Sequence, residues 1–289
     1  MSTTLLHTGR IIGWNGIRVR VPPQWETIVS NHNHLIFEDN FKPVFQIRWK
    51  KIGTLNPLKW KGKSDLWWQQ LGVASSETKF PALLSKLTDK FTHTRYYNGK
   101  LPMTSGGICY CSHCQTVFFF QQLGAERKIW QKTAEVLSTL TCHGFSDNLW
   151  QIQDFTLNTP TQHTLIDSSF KAGLTRLTFE INNCSLHICR LGQATSRLES
   201  QSLKDILLTL AGTRELQVGC CQDKKMCSGR RTPSVARQIL LRMRKEKPFI
   251  ESKIWMVPDY DRILACVATS KRPISHNYFD PCYETLKIV

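Results

Sequence analysis

Hydrophobic and polar positions alternate with period two along much of this chain, and the alternation is punctuated in the same way twice. In "WNGIRVRVPPQW", Trp14 is followed by Ile17, Val19 and Val21 on one face, and Pro22 ends the run. In "WQIQDFTLNTPTQH", Trp150 is followed by Phe155 and Leu157, and Pro160 ends the run. Such alternation specifies a strand with one buried face, and proline stops it because it has no N–H to give to a ladder. Two more strands are predicted after each of these: "HLIFED" and "VFQIRWKKI" in the first half, "LTRLTFEI" and "CSLHICRL" in the second.

The period then changes. Phe80, Leu83, Leu84, Leu87 and Phe91 fall on one helical face, as do Leu203, Ile206, Leu207 and Leu210. These spacings predict an amphipathic helix against a sheet in each half. Strands return in "TVFFFQQL" and "RILACVAT". Each half closes on a helix, "AERKIWQKTAEVLSTL" or "SHNYFDPCYETLKI", and Pro281 is placed in the first turn, where proline is tolerated. The pattern predicts an α+β protein of two tandem, mainly antiparallel sheets, each with two packed helices. The order is βββ-α-ββ-α, written over residues 1–147 and again over 148–289. Strands clustered ahead of one helix favour antiparallel pairing with helices on the faces.

The chain has 289 residues and a formal charge of +16, and the charge is local. Residues 48–63 carry Arg48, Lys50, Lys51, Lys59, Lys61 and Lys63 with no acid. Residues 224–247 carry Lys224, Lys225, Arg230, Arg231, Arg237, Arg242, Arg244, Lys245 and Lys247 against Glu246 alone. The second segment falls in a basic helical insertion at about 222–256, between the strands "TRELQVGCC" and "RILACVAT"; loops that long are usually functional or disordered. Thr232 as N-cap and Pro233 at the first helical position would start its helix, with Val235, Ile239, Leu240 and Met243 as one apolar stripe. The stripe either packs on its own domain and turns the arginines to phosphates, or lies on an anionic membrane surface, or the helix has a solvated basic face and no ligand. Localised basicity points to a polyanionic partner, nucleic acid first or else an acidic protein surface met by an adaptor. Contact with an anionic membrane is the weaker reading, because the stripe is narrow and lacks tryptophan. In the first segment Trp49, Trp60, Trp67 and Trp68 interleave with the cations, which suits stacking of single-stranded bases. At least two of the four belong in a core.

Eleven cysteines cannot all pair within one chain. No early basic segment leads into an apolar core, and no apolar run approaches the ~20 residues of a membrane span. The expectation is a cytoplasmic protein with free or metal-bound thiols. In "CYCSHC", Cys111 and Cys114 have the C-x-x-C spacing that points two thiolates at one zinc. Cys109 and Cys142 are the further candidate ligands; His143 adjoins Cys142, so only one of that pair is expected to reach the metal. The competing reading makes Cys109 and Cys111 same-face residues of a buried strand. No cofactor is required; zinc is the one candidate. Cys184, Cys189 and Cys266 read as small core residues. Cys220, Cys221 and Cys227, which occupy a comparable place in the second half without the C-x-x-C spacing, read as a decayed counterpart of that cluster or as plain buried thiols. His32 and His34 in "NHNH" read as a polar turn.

The chain contains no phosphate-binding loop, dinucleotide fingerprint, nucleophile elbow or H-E-x-x-H motif. No carboxylate pair stands out in an apolar setting. The composition points to binding rather than catalysis.

A strand ending in "VPPQW", followed by a meander and a packed helix, resembles the Mog1/PsbP-like α/β/α sandwich. The second half has "PTQH" at that point, with His163 in place of the tryptophan. The family includes a small-GTPase regulator, photosystem subunits and bacterial proteins without an assigned activity. The resemblance implies a non-enzymatic binding role, and it carries over no functional residue.

Overall fold

The computed structural model describes residues 9–70, 75–99, 105–123, 126–221 and 225–289. The chain divides into two compact units, Met1–Phe145 and Ser146–Val289.

The first unit starts with an antiparallel hairpin of β1 (Arg10–Trp14) and β2 (Ile17–Val21). A meander follows: β3 (Trp25–Asn31), β4 (His34–Asp39) and β5 (Lys42–Lys51). Helix α1 (Trp60–Gln69) comes next, then edge strand β6 (Ser75–Thr78) and the short helix α2 (Ser85–Lys90). Strands β7 (His93–Gly99), β8 (Gly106–Cys111) and β9 (Thr116–Gln122) complete the sheet, and α3 (Arg127–Ser138) closes the unit. The seven strands are ordered β3-β4-β5-β9-β8-β7-β6, and every neighbouring pair is antiparallel.

The run "TVFFF" is apolar at successive positions because β9 is central and covered on both faces. Val117, with Ile108, Tyr110 and Tyr97 from its neighbours, packs against Trp60 and Trp68 of α1. Phe118 faces the other way and meets Phe91 just after α2. Gly107 of β8 has no room for a side chain: a Cβ there would stand 2.5 Å from the Phe120 ring.

The second unit opens with β10 (Asp147–Ile152) and β11 (Phe155–Pro160), again an antiparallel hairpin. Then come β12 (Thr164–Lys171), β13 (Leu174–Ile181) and β14 (Cys184–Gly192), followed by helices α4 (Ala194–Ser200) and α5 (Leu203–Ala211). Edge strand β15 (Gln217–Cys220) leads to β16 (Met226–Arg231), helix α6 (Val235–Met243), β17 (Phe249–Val257) and β18 (Arg262–Ser270). Helix α7 (His276–Thr285) and the short β19 (Lys287–Ile288), which adds to β11, end the chain. The sheet order is β12-β13-β14-β18-β17-β16-β15. Each strand therefore holds the position in this sheet that its counterpart holds in the first. The central strand β18 alternates Ile263, Ala265 and Val267 toward the α5 core with Leu264, Cys266 and Ala268 on the other face, all buried.

The protein is thus α+β with β-structure dominant, and it has more strands than the alternation predicts. Strands β1, β3, β6, β7, β12, β16 and β17 were not expected, whereas β15 lies within the run "TRELQVGCC" read as a strand. Trp14 and Trp150 are both buried, and so are Trp25 and His163. In both units the chain turns with one bond: Trp25 N–H donates to the Pro22 carbonyl and His163 N–H to the Pro160 carbonyl, each at 3.0 Å.

Several helices differ from expectation. The helix between β5 and β6 is α1, and it takes the place in the order that α5 takes between β14 and β15. The Phe80–Phe91 segment instead forms a 3-10 turn, Ala82–Leu84, running into the six-residue α2. Trp67 and Trp68 lie in the last turn of α1. Pro281 falls in the middle of α7 rather than its first turn. The insertion is shorter than 222–256, since β16 and β17 are sheet strands; residues 232–248, which include α6, lie between them. Its helix starts at Val235 with Ser234 as N-cap, not at Thr232.

Candidate metal centre and basic surfaces

The turn after β8 and the segment after α3 meet in the first unit. Strand β8 presents Cys111 at its C-terminal end, and Cys114 follows in the β8–β9 turn. Gln115 there takes a left-handed backbone, φ 55°, and Thr116 Oγ1 donates to the Cys114 carbonyl at 3.1 Å. On the other side, the chain leaving α3 is fastened to β2. The Arg20 N–H donates to Thr139 Oγ1 at 2.8 Å, and Arg18 and Thr141 exchange two backbone hydrogen bonds of 2.9 Å. The Arg18 guanidinium lies over the Phe145 ring at 3.9 Å. Cys142 and His143 are thereby held between two fixed points.

Four ligand atoms converge: the sulfurs of Cys111, Cys114 and Cys142 and a ring nitrogen of His143, all within 4.8 Å of one another. Cys114 Sγ is 3.5 Å from Cys142 Sγ, and His143 Nδ1 is 3.4 Å from both Cys111 Sγ and Cys142 Sγ. A zinc with bonds of about 2.3 Å to sulfur sits in a tetrahedron whose edges are about 3.8 Å. The donor set and its spacing are compatible with such an ion. The Cys114 thiol is pulled down to about 5, chiefly by the hydrogen bond it shares with Cys142, while that same bond pushes Cys142 up. The His113 ring lies 4.4 Å from that of His143 and is tilted to it by 30°, and Lys90 Nζ donates to the carbonyls of Ser138 and Leu140 beside the cluster.

Two sequence expectations change here. Cys109 is not part of the converging set: it lies two residues back inside β8, fully buried. His143 takes its place. Adjacency to Cys142 does not prevent this, because the two side chains leave an irregular segment rather than a regular helix and can turn to one point.

The basic residues divide into engaged and outward-facing. Lys50, Lys51, Lys59, Lys61 and Lys63 are exposed. Arg48 is half-buried and donates to His34 Nε2 at 3.3 Å and Gln46 Oε1 at 3.2 Å. His34 is therefore a buried strand residue, not part of a polar turn. Arg231 is buried, and its guanidinium donates to the carbonyls of Pro248 and Lys247 at 2.9 and 2.7 Å and to Thr213 Oγ1 at 3.3 Å. It ties the base of the 232–248 excursion and is out of a partner's reach. Lys225, Arg230, Arg244 and Lys245 are exposed. Arg237 pairs with Glu215, and Arg242 donates to the Lys271 carbonyl. Lys224 lies outside the described residues.

A cleft of about 450 Å³ opens on the first unit, where the end of β5 meets α1. Arg48, Lys50 and His34 bring charge and hydrogen-bonding capacity to it, and Trp67 and Phe119 bring half-exposed rings. Trp49, Trp60 and Trp68 are core residues, so Trp67 alone of the four tryptophans offers a ring face here.

The second unit contains one disulfide, Cys220–Cys227, joining directly paired residues of β15 and β16. This overturns the reading of these cysteines as plain buried thiols and of every thiol as free or metal-bound. Cys184, Cys189 and Cys266 are buried in strands as expected. Among the described residues no helix is long and apolar enough to cross a membrane.

No family model matches the chain, and no curated protein matches it. Among solved structures it is similar to the immunity protein TplEi of the T6SS of Pseudomonas aeruginosa, complexed with "L" peptide. The TM-score is 0.34 at 9% identity, over 92% of this chain and 98% of that one. It is also similar to MucB, with a TM-score of 0.22 at 8% identity, over 94% of this chain and 81% of that one. Likeness at this level carries no functional argument.

Proposed function

We propose that this chain is a non-enzymatic binding protein whose first unit is stabilised by a structural zinc ion. The observation that carries the reading is the convergence of Cys111, Cys114, Cys142 and His143 at tetrahedral spacing. Four protein ligands leave no open position, which is the mark of a structural rather than a catalytic zinc. The ion would crosslink the β8–β9 turn to the segment after α3, which are otherwise joined by few backbone bonds. Cobalt substitution tests it: Co(II) added to metal-free protein should give the visible and thiolate charge-transfer absorption of a tetrahedral sulfur-rich site. A spectrum of hexa-aqua cobalt alone would sink the reading.

The binding partner we propose for the first unit is a polyanion, nucleic acid in the first instance. The cleft supports this, since Trp67 and Phe119 can stack on bases while Lys50 and Arg48 meet phosphate. Titration with a single-stranded oligonucleotide should quench tryptophan fluorescence, weaken steeply with salt and fail in Trp67→Ala. Binding of an acidic protein but no oligonucleotide would favour the adaptor reading instead.

We further propose that the two units are copies of one α/β/α plan of the Mog1/PsbP-like kind. The matching strand orders, the buried Trp14 and Trp150, and the identical turn bonds at Pro22 and Pro160 support it.

A further inference from the structure

Helix α6 is mounted with its apolar side outward. Only Leu241 is buried, at 2% exposure, whereas Val235, Ile239, Leu240 and Met243 are exposed by 73, 55, 38 and 77%. With about 3.6 residues per turn, Val235, Ile239, Met243, Ala236 and Leu240 form one continuous stripe, centred opposite Leu241. This removes one of the three readings of the helix, that the stripe packs on its own domain. The helix leaves the sheet after Arg231 and returns before Phe249. Its end is fixed by Lys245, in a left-handed conformation with φ 61°, whose N–H donates to the Arg242 carbonyl, while Glu246 N–H donates to that of Leu241. These two bonds form the closing motif of a helix C-terminus, so the helix is a defined ridge.

Cations border the stripe on both sides. Arg242 lies along one edge, donating to the Lys271 carbonyl, so that exposed Lys271 adjoins it. Arg237 and Arg244 lie along the other edge, with Lys245 beyond. Helix α6 itself contains no acid; Glu215, paired with Arg237, and the exposed Glu246 are the acids nearest the ridge in contact or sequence.

We propose that α6 is a peripheral membrane-contact ridge for an anionic phospholipid surface. Aliphatic side chains on the crest need hydrocarbon, and guanidinium and ammonium groups on the flanks need anionic groups in a plane just above it. A bilayer interface supplies both in that order and asks no shape complementarity of a convex ridge. A nucleic acid would meet the cations but leave the crest in water, because α6 has no aromatic ring on which a base could stack. The inference is independent of the zinc centre, which belongs to the other unit.

Vesicle co-sedimentation of the full chain tests it. Vesicles of phosphatidylcholine and phosphatidylglycerol should capture the protein at low salt and pure phosphatidylcholine should not. Capture should weaken at least ~10-fold when salt is raised toward 0.5 M. The variant Ile239→Glu/Met243→Glu should lose binding by roughly 10-fold or more, because carboxylates replace the crest. Both substitutions are at exposed positions, and unchanged circular dichroism and metal content verify the fold. Arg244→Gln/Lys245→Gln should weaken binding and flatten its salt dependence. Equal binding to both vesicle types, no binding, or full binding by the crest variant would overturn the proposal. So would capture of an oligonucleotide or an acidic protein that depends on Ile239 and Met243 in the absence of vesicle binding.

Discussion

His187 stands in β14 with its Nδ1 3.1 Å from Thr178 Oγ1. Burial, followed by the charges of Arg176 and Lys247, pulls its imidazole down to about 4, against a smaller opposing effect of Asp167. Folded His187 is therefore neutral where an unfolded histidine already binds a proton. The stabilisation is complete above about pH 6.5 and is lost as pH falls toward 4, by up to about 3 kcal/mol. Urea unfolding between those limits should show the second unit weakening, and His187→Gln should flatten that slope. A second residue-scale expectation concerns Arg231. Arg231→Met should destabilise the second unit by about 2–4 kcal/mol, since several carbonyl and hydroxyl partners lose their donor; Arg230→Ala, on the exposed side of the same strand, should be near neutral. Sequence alone made the two arginines equivalent. Only the alternation of β16 separates them, and its start and end could not be placed without knowing that it pairs with β17. The same holds for the ligands: the C-x-x-C step named Cys111 and Cys114, but the choice of His143 over Cys109 depends on contacts across 28–32 residues of chain.

Among the elements, α5 shows most fully how sequence sets local structure. Ser202 caps it through the Asp205 N–H, and Asp205 accepts in return from the Ser202 N–H. Gly212 ends it with φ 66°, and Thr213 N–H donates back to the Leu208 carbonyl. Ser202→Ala should cost about 1 kcal/mol, measured by denaturant titration. Its buried Leu203, Ile206 and Leu207 were legible because the apolar period is unbroken. Helix α1 was not, because its buried face is Trp60, Ser64 and Trp68. Ser64 is polar, but it accepts from the buried Arg95 guanidinium, which also pairs with Glu77 and Asp65. That network replaces an apolar contact with a satisfied polar one. Strand β6 escaped for a related reason: it is a four-residue polar edge. Helix α6 was legible as an amphipathic helix, but not in its orientation, since periodicity gives a stripe without saying what it faces.

Across the whole molecule the charge, the cysteines and the fold separate by unit. Each unit has its own core, so each is expected to unfold as its own cooperative transition. The first contains the Cys111–Cys114–Cys142–His143 cluster, the second the Cys220–Cys227 disulfide. Chelation should lower the melting transition of the first unit by about 10 °C or more and leave that of the second in place, as calorimetry would resolve. Mild reduction should act on the second unit alone. The account rests most directly on the metal, and elemental analysis of protein purified without added metal measures it. One zinc per chain, lost in Cys142→Ser but kept in Cys109→Ser, is the predicted result. Protein free of zinc, or zinc that survives Cys142→Ser, would contradict it.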